Sequence, residues 1–322
     1  MFKKHLSQSY GQSTIQLLKD LRLNFAVVSS SLIFLGFFWN KLEGFDWQYV
    51  SLIVSIFCAN LFGYVINDFY DATYDYQEYS KKLRNIFCSS NTKRLGKAIL
   101  YASLSLSLLF GGIVSPQIFI IVVLFNILAF CYSAPPFKLR NRLYWDWIFI
   151  FLWKGLIIFT GYFYFSGPIL PSDFFIWGTL MMVLLLSLIS QIDNQLRDFK
   201  TDKITNADNT VQGLGTHNAS SINWFLIGLF YTFSFVFCFL LGHYITMILI
   251  LLNVFPYFFV NSSKYSKIIQ FTNIWIVVLF LEHFMGYFRY QQQLLAYFWI
   301  VVMGGIAFRH VKRTNLFNGK RS

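Results

Sequence analysis

Residues 63–75 read GYVINDFYDATYD, and within them an apolar run passes directly into a row of acidic residues. Asn67 begins the polar part, and Asp68, Asp71 and Asp75 follow at intervals of three and four residues. On a helix these offsets share one face. Like charges at this spacing repel one another and cost stability, and a bound cation would turn that cost into a site. The stretch therefore predicts a membrane helix that ends in a cation-binding face.

A second acidic row follows another apolar run, in QIDNQLRDFKTDK at 191–203. Asn194, Asp198 and Asp202 are spaced four and four and so form one stripe, whereas Asp193 would point elsewhere. Because each row continues the end of a membrane helix, we expect both to face a common cavity at the cytoplasmic rim. Mg²⁺ is typically bound by one or two carboxylates together with water and phosphate oxygens. Two facing rows could therefore hold two such ions with a diphosphate between them.

The composition is that of an integral membrane protein. Of the 322 residues, 56% are hydrophobic and only 12% are charged, roughly half the charged fraction of soluble domains. Apolar runs of about 18 or more residues indicate bilayer-spanning helices. We predict an all-α polytopic transmembrane bundle of ten helices, or nine if one of the last four is re-entrant or interfacial. The predicted spans lie near 24–41, 47–66, 98–114, 116–133, 145–165, 172–192, 222–241, 244–261, 271–288 and 293–308.

The distribution of basic residues predicts the orientation. With the N-terminus in the cytoplasm, the cytoplasmic segments carry 23 of the 26 Lys and Arg, while Lys41 and Arg289 lie outside and Lys154 lies within a span. This is the positive-inside pattern, so the net charge of +12 indicates topology and attraction to anionic lipid headgroups. Charge scattered over six segments does not indicate nucleic-acid binding. We expect a multi-pass protein of the inner or plasma membrane.

The chain is predicted to form a single membrane domain over 1–322. Its polar parts are the cytoplasmic N-terminal segment, two cytoplasmic active-site loops and a basic cytoplasmic tail, at 1–23, 67–97, 193–221 and 309–322.

Basic side chains near the acidic rows are candidates for binding a diphosphate. Arg grips phosphate through a rigid fork, and Lys acts as a mobile point charge. Lys154 is expected to face the cavity because its exposure to lipid would be costly; snorkelling to the headgroups is the alternative. Lys81 and Lys82 are better explained by topology. The remaining candidates are Arg84, Lys138, Arg140, Arg197 and Lys203.

Three motifs resemble those of the UbiA-type intramembrane prenyltransferases. They are N-D-x-x-D-x-x-x-D at 67–75, Y-S-x-P-P-x-K-x-R at 132–140 and D-x-x-x-D at 198–202. Their order and spacing fit the family across roughly residues 20 to 310. The segment NQLRDFKTD at 194–202 also resembles the form found in prenyltransferases of dihydroxynaphthoate, a menaquinone precursor. The chain departs from the family where Asn85 replaces a common Pro after Arg.

The resemblance implies a helix bundle with a central cavity open laterally to lipid. In it, aspartates bind Mg²⁺, which holds an isoprenyl diphosphate, and the prenyl chain passes to an acceptor that is often an aromatic quinone precursor. The implied metal ligands are Asp68, Asp71, Asp75, Asp198 and Asp202. The residues expected to act in catalysis are Asp71, Asp198, Arg197 and Tyr132, and Asn67 and Asn194 join the basic candidates in binding substrate.

Other classes of function remain as alternatives. An ion-coupled transporter would also place acids in a membrane bundle, but transporter sites lie near the bilayer midplane on broken helices, whereas these rows lie at the rim. An enzyme that transfers alcohol phosphates from CDP-linked donors would also use paired Asp, but the expected D-G-x-x-A-R start is absent. Within prenyl transfer, a non-aromatic lipid or a carotenoid is the alternative acceptor.

Overall fold

The structure is a computed structural model that describes residues 23–33, 46–77, 79–82, 85–166, 174–204 and 208–254. Across these ranges the chain is helical and contains no strand, which confirms the predicted all-α class. A 3-10 turn is formed by Leu139–Asn141. The helices are α1 (Leu23–Ser30), α2 (Trp47–Asp75), α3 (Tyr79–Lys82), α4 (Ser90–Val114), α5 (Pro116–Ser133), α6 (Trp145–Ser166), α7 (Phe174–Ile204), α8 (Thr210–Leu241) and α9 (Tyr244–Val254).

Six helices in the described part of the chain are long and apolar enough to cross a bilayer, namely α2, α4, α5, α6, α7 and α8. They match the six predicted spans between 47 and 241, and the chain is an integral multi-pass membrane protein. The predicted spans 24–41 and 244–261 begin as α1 and α9, and their remaining residues lie outside the described ranges. The predicted spans 271–288 and 293–308, most of the N-terminal segment 1–23, and the tail 309–322 also lie outside them.

The helices extend well beyond the predicted spans. α2 continues to Asp75 and α7 to Ile204, while α4 already begins at Ser90 and α8 at Thr210. The predicted loops 67–97 and 193–221 are therefore largely helical, which corrects their description as loops. Hydropathy marks where the apolar run ends, but backbone hydrogen bonding continues until a cap or a chain reversal stops it. Both acidic rows consequently lie on regular helix.

Chain contacts divide the protein into two compact units, and the first contains α1 to α5. α2 packs against α4 and also contacts α1 and α5. Ser55 Oγ donates a hydrogen bond to the backbone oxygen of Ser107 at 2.7 Å, and Asn126 Nδ2 donates to Ser107 Oγ at 3.0 Å. Gly111 lies against Ser55 and permits the close approach of α2 and α4. Small residues and interhelical hydrogen bonds of this kind hold helices together in lipid, where burial of apolar surface provides little driving force.

The second unit contains α6 to α9. α7 packs against both α6 and α8, with Ile192, Val211 and Ala219 buried between them. Gly178 of α7 faces the ring of Phe237 on α8 with no room for a side chain. Each unit therefore contains one of the two acidic helices, α2 in the first and α7 in the second.

Candidate active-site residues

The first acidic set consists of Asn67, Asp68, Asp71 and Asp75 on the last turns of α2. Asp68 and Asp75 are only 3% and 9% exposed, while Asp71 is partly buried. Asn67 Nδ2 donates a hydrogen bond to Asp71 Oδ2 at 2.9 Å, across one helical turn. Burying carboxylates is costly unless donors or cations compensate them, so this end of α2 is built to receive positive charge.

Asn85 is a partner of this set that the sequence analysis did not identify as a site residue. Its Nδ2 donates to Asp75 Oδ2 at 2.9 Å and to the backbone oxygen of Asp68 at 2.7 Å. The chain after Asn85 also packs against α2, because the rings of Phe87 and Phe69 meet edge to face with centroids 5.2 Å apart. The only sequence signal for Asn85 was that it replaces the proline common in the resembling family. Arg84, predicted to bind diphosphate, lies outside the described residues.

The end of α5 and the segment after it bring the Y-S-x-P-P-x-K-x-R motif of residues 132–140 to the first acidic set. Ser133 Oγ donates to Asn67 Oδ1 at 3.4 Å. Lys138 Nζ donates to the hydroxyl of Tyr74 at 3.2 Å and lies 4.6 Å from the centroid of its ring. The ammonium group of Lys138 is thus held against the acidic end of α2. Tyr132 is partly buried at the end of α5, next to Ser133.

The second acidic set consists of Asn194, Asp198 and Asp202 on α7. Asn194 and Asp198 are exposed and Asp202 is partly buried. Asp202 Oδ2 accepts a hydrogen bond from Asn209 Nδ2 at 2.7 Å, just before α8 begins. Because α7 is an unbroken helix to Ile204, the predicted common stripe of the three residues is confirmed.

The basic candidates of the second unit are placed differently. Arg197 Nε forms an ion pair with Asp193 Oδ2 at 3.2 Å, and its Nη2 also hydrogen-bonds to Asn194 Oδ1. Its guanidinium group is thus bound by two residues of its own helix. Lys203 is exposed near the end of α7, and Lys154 lies within α6 at a partly buried position. Arg140 is partly buried in the 3-10 turn and begins the second unit.

A buried carboxylate that the sequence analysis did not identify supports the second set. Asp146, at the start of α6, is 0% exposed. It accepts hydrogen bonds from the backbone nitrogen of Thr210 at 3.1 Å, from the Thr210 hydroxyl and from Gln195 Nε2. Gln195 follows Asn194 on α7, and Thr210 follows Asn209. Asp146 therefore connects the side chain of Gln195, within the second acidic set, to the first residue of α8. Its sequence signal was a single acid at the start of an apolar span.

The oxygen atoms that the two acidic sets offer as ligands fit a hard divalent cation such as Mg²⁺. All are carboxylate or amide oxygens, the ligands that Mg²⁺ prefers. In the part of the chain that the structure describes, no three His, Cys, Asp or Glu residues are grouped so that they could hold a metal ion by themselves. An ion bound here would take one or two carboxylates and complete its shell with water and phosphate oxygens, as Mg²⁺ commonly does at phosphate-binding sites.

Comparison with known proteins gives a family and a fold. The family model for the UbiA prenyltransferase family matches residues 29–277. A UbiA homolog from Archaeoglobus fulgidus, bound to GPP and Mg²⁺, is 19% identical with a TM-score of 0.65, over 84% of this chain and 98% of that one. An apo UbiA homolog from Aeropyrum pernix K1 is 12% identical with a TM-score of 0.59, over 84% and 98%.

A third solved structure, of a digeranylgeranylglyceryl phosphate synthase, is 18% identical with a TM-score of 0.54, over 84% of this chain and 97% of that one. No curated protein matches the chain significantly. At these identities the structural likeness shows a shared helical fold.

Proposed function

The chain belongs to the UbiA prenyltransferase family, and from this premise we propose that it transfers an isoprenyl chain from an isoprenyl diphosphate to a membrane-accessible acceptor in a Mg²⁺-dependent reaction. One observation carries the proposal. Two membrane helices each end in a row of oxygen ligands on one face, and a lysine is held beside the first row. The Archaeoglobus fulgidus homologs bound to GPP or DMAPP together with Mg²⁺ support it.

In this proposal the two acidic sets serve one diphosphate. The metal ligands are Asp68, Asp71 and Asp75 from the first set and Asp198 and Asp202 from the second. Bound Mg²⁺ would neutralise the negative charge that develops on the leaving diphosphate. Asn67, whose amide donates a hydrogen bond to Asp71, and Asn194 are proposed to bind substrate, together with the basic residues Arg84, Lys138, Arg140, Lys154 and Lys203.

Lys138 has the clearest structural support among the basic candidates. Its hydrogen bond to Tyr74 and its position over the Tyr74 ring hold the ammonium group beside the acidic turns of α2. An ammonium held in this way is preorganised to bind a phosphate oxygen, because little side-chain freedom is lost on binding. Arg197 must exchange its contacts with Asp193 and Asn194 for diphosphate oxygens if it acts on the substrate directly.

The chemical step breaks the bond between the first prenyl carbon and the diphosphate oxygen, and the electron pair leaves with the diphosphate. The allylic cation that remains needs a surface that stabilises it without reacting with it. Aromatic faces attract cations, and we propose this role for Tyr132. A new bond then forms from the acceptor to the prenyl carbon, and the acceptor loses a proton.

We propose an aromatic quinone precursor as the acceptor, because residues 194–202 have the form found in dihydroxynaphthoate prenyltransferases. A non-aromatic lipid is the second candidate, since one structural neighbour is a digeranylgeranylglyceryl phosphate synthase. We further propose that the N-terminus and both acidic sets lie on the cytoplasmic side of the inner or plasma membrane, because 23 of the 26 Lys and Arg fall in segments assigned to that side.

The test is turnover by the purified full chain in lipid vesicles. A labelled prenyl diphosphate is supplied with a panel of quinone-precursor acids and glycerol lipids, with Mg²⁺ or with EDTA, and products are identified by mass spectrometry. We expect a prenylated product only with Mg²⁺. Asp71→Asn and Asp198→Asn should each abolish transfer in protein that remains folded and inserted. Full activity in both variants would refute the ligand assignment.

A further inference from the structure

Two asparagines occupy matching places in the two units. Asn85 lies ten residues after Asp75, and Asn209 lies seven residues after Asp202. Each follows an acidic helix, each precedes the next membrane helix, and they are only 4% and 6% exposed. Each also hydrogen-bonds to the last carboxylate of its acidic set. Neither belongs to the motifs of oxygen ligands that the sequence analysis singled out.

Hydrogen bonds at both the oxygen and the nitrogen fix the orientation of the Asn85 side-chain amide. Its Oδ1 accepts a hydrogen bond from the backbone nitrogen of Phe87 at 2.9 Å. Since that backbone group can only donate, the oxygen of the amide must face it and the nitrogen must face α2. Nδ2 then donates to Asp75 Oδ2 at 2.9 Å and to the backbone oxygen of Asp68 at 2.7 Å. One side chain thus connects two turns of the first acidic set.

Asn209 is fixed in the same manner. It is the N-cap of α8, where its Oδ1 accepts a hydrogen bond from the backbone nitrogen of Gln212 at 2.9 Å. This again leaves Nδ2 as the donor, and it reaches Asp202 Oδ2 at 2.7 Å. Thr210, the next residue, is anchored to the buried Asp146. The position of the Asn209 amide is therefore set by α6 and α8 and not by α7, which carries Asp202.

We infer that Asn85 and Asn209 are positioning residues that orient the last carboxylate of each acidic set for divalent-cation binding. This inference rests on the proposed function. A carboxylate at a helix end can rotate about its side-chain bonds, and a hydrogen bond to one oxygen restricts that rotation before the cation arrives. Hydrogen bonds to metal ligands commonly act in this way, and their loss typically weakens metal binding about 10–100-fold.

A purely structural role is the competing explanation, because each asparagine also accepts a hydrogen bond from the backbone. Two substitutions separate the roles. Asn209→Thr keeps an oxygen that can cap α8, since Thr is a good N-cap residue, but it removes the amide that reaches Asp202. Asn85→Ser keeps a hydroxyl that can accept from Phe87 and is too short to reach Asp75.

The experiment measures cation affinity directly in the purified full chain. Mn²⁺ binding is followed by electron paramagnetic resonance, and the half-saturating Mg²⁺ concentration is measured by prenyl transfer. We expect the Mn²⁺ dissociation constant and the half-saturating Mg²⁺ concentration to rise about 10–100-fold in each variant, while the melting temperature without metal falls no further than in the matched control. The matched control is Asn126→Ser, which removes a buried amide that donates to Ser107 Oγ and to the backbone oxygen of Val122. It should lower the melting temperature and leave Mn²⁺ affinity unchanged.

The outcomes are distinguishable. Wild-type protein that binds Mn²⁺ together with variants that bind it equally well would overturn this inference and leave the proposed function standing. Wild-type protein that neither binds Mn²⁺ nor transfers a prenyl group would overturn both. If Asn85→Ser cannot be purified, Asn85→Thr takes its place, and Asn209→Ser likewise takes the place of Asn209→Thr. Each replacement keeps a hydroxyl acceptor.

Discussion

At the scale of single residues, the first acidic set shows how amide donors surround carboxylates at the place where an apolar run ends. Asp68 and Asp75 are buried, yet Asn85 donates hydrogen bonds to the side chain of Asp75 and the backbone of Asp68, and Asn67 donates to Asp71. Each amide donor forms one of the hydrogen bonds that an oxygen can accept, and it brings no positive charge. Positive charge for these carboxylates is therefore left to a bound cation or to a basic side chain such as Lys138.

Lys138 provides the first prediction at this scale. We expect Lys138→Met to raise the KM for the prenyl diphosphate about ten- to a hundredfold, because it removes one charge-assisted hydrogen bond to phosphate. Lys138→Arg retains the charge and should raise the KM much less. Steady-state kinetics in vesicles at saturating Mg²⁺ measure both. An unchanged KM in Lys138→Met would show that this ammonium does not bind the substrate.

Cys88 provides a pH-dependent prediction. Burial and the nearby carboxylates of Asp75 and Asp68 raise the pKa of this thiol above its ordinary value, with Lys82 opposing them. A raised pKa means less thiolate at any given pH, so alkylation should be slow near neutral pH and should accelerate only at alkaline pH. Asp75→Asn removes one of the causes and should shift the rate profile to lower pH. Maleimide labelling of a protein in which the other three cysteines, Cys58, Cys131 and Cys238, are replaced by serine measures this directly.

An identical pH profile for the two proteins would mean that Asp75 carries no charge near the thiol. A general loss of structure would have a different effect, because it would also remove the burial of the thiol and give the faster, still pH-dependent labelling of an exposed cysteine.

The sequence predicted the helical face of the first acidic set better than it predicted the partners of its residues. The spacing of Asp68, Asp71 and Asp75 placed them on one face because helix geometry is regular. The contact between Asn85 and Asp75 depends on how the chain reverses between α3 and α4, and no periodic pattern encodes that reversal. Asp146 went unnoticed for the same reason, since its partners Gln195 and Thr210 come from two other helices.

At the scale of helices, the important feature is that α2 and α7 continue past their apolar runs. Hydropathy predicted where each span ends, but it could not predict that the polar residues would remain helical. The sequence indicated helix ends better where a capping residue is present. Ser115 precedes Pro116, the first residue of α5, and its hydroxyl accepts a hydrogen bond from the backbone nitrogen of Ile118. α8 is regular except at Gly215, where a φ of 77° separates the turn carrying Thr210 from the membrane span.

The contact between α7 and α8 yields a prediction about stability. Gly178→Ala places a methyl group into the ring of Phe237, and overpacking of this kind typically costs about 1–3 kcal/mol. We therefore expect a lower melting temperature in detergent. Gly228→Ala on α8 is the control, because a side chain there meets nothing within 4 Å, and alanine favours helix. Equal melting temperatures for the two variants would contradict the close approach of these helices.

At the scale of the whole molecule, the protein consists of two units, each with one acidic helix. The sequence places four predicted spans between the two acidic rows, and one row falls in each unit. It could not supply the packing inside each unit, which depends on small residues such as Gly111 and Gly178 that carry no hydropathy signal.

The membrane topology gives the last prediction. The proposed reaction requires both acidic helix ends to open on the same side of the bilayer. Ser89→Cys, at an exposed position directly before α4, and Lys200→Cys, at an exposed position near the end of α7, should react with an impermeant thiol reagent from the cytoplasmic side in a cysteine-free background. Trp47→Cys, at the opposite end of α2, should react only from the other side. Labelling of the first two variants from opposite sides would exclude a shared diphosphate.

The continuation of α2 from apolar run to acidic turns has a consequence for how the protein meets its substrates. A prenyl diphosphate is itself an amphiphile, with its head among the phospholipid heads and its tail among the acyl chains. A helix with the same order of apolar and charged segments matches the proposed substrate while that substrate stays in the leaflet. Encounter would then occur by lateral diffusion in two dimensions, and turnover would follow the mole fraction of substrate in the bilayer. Dilution with inert phospholipid should slow turnover, while a change in aqueous volume should not.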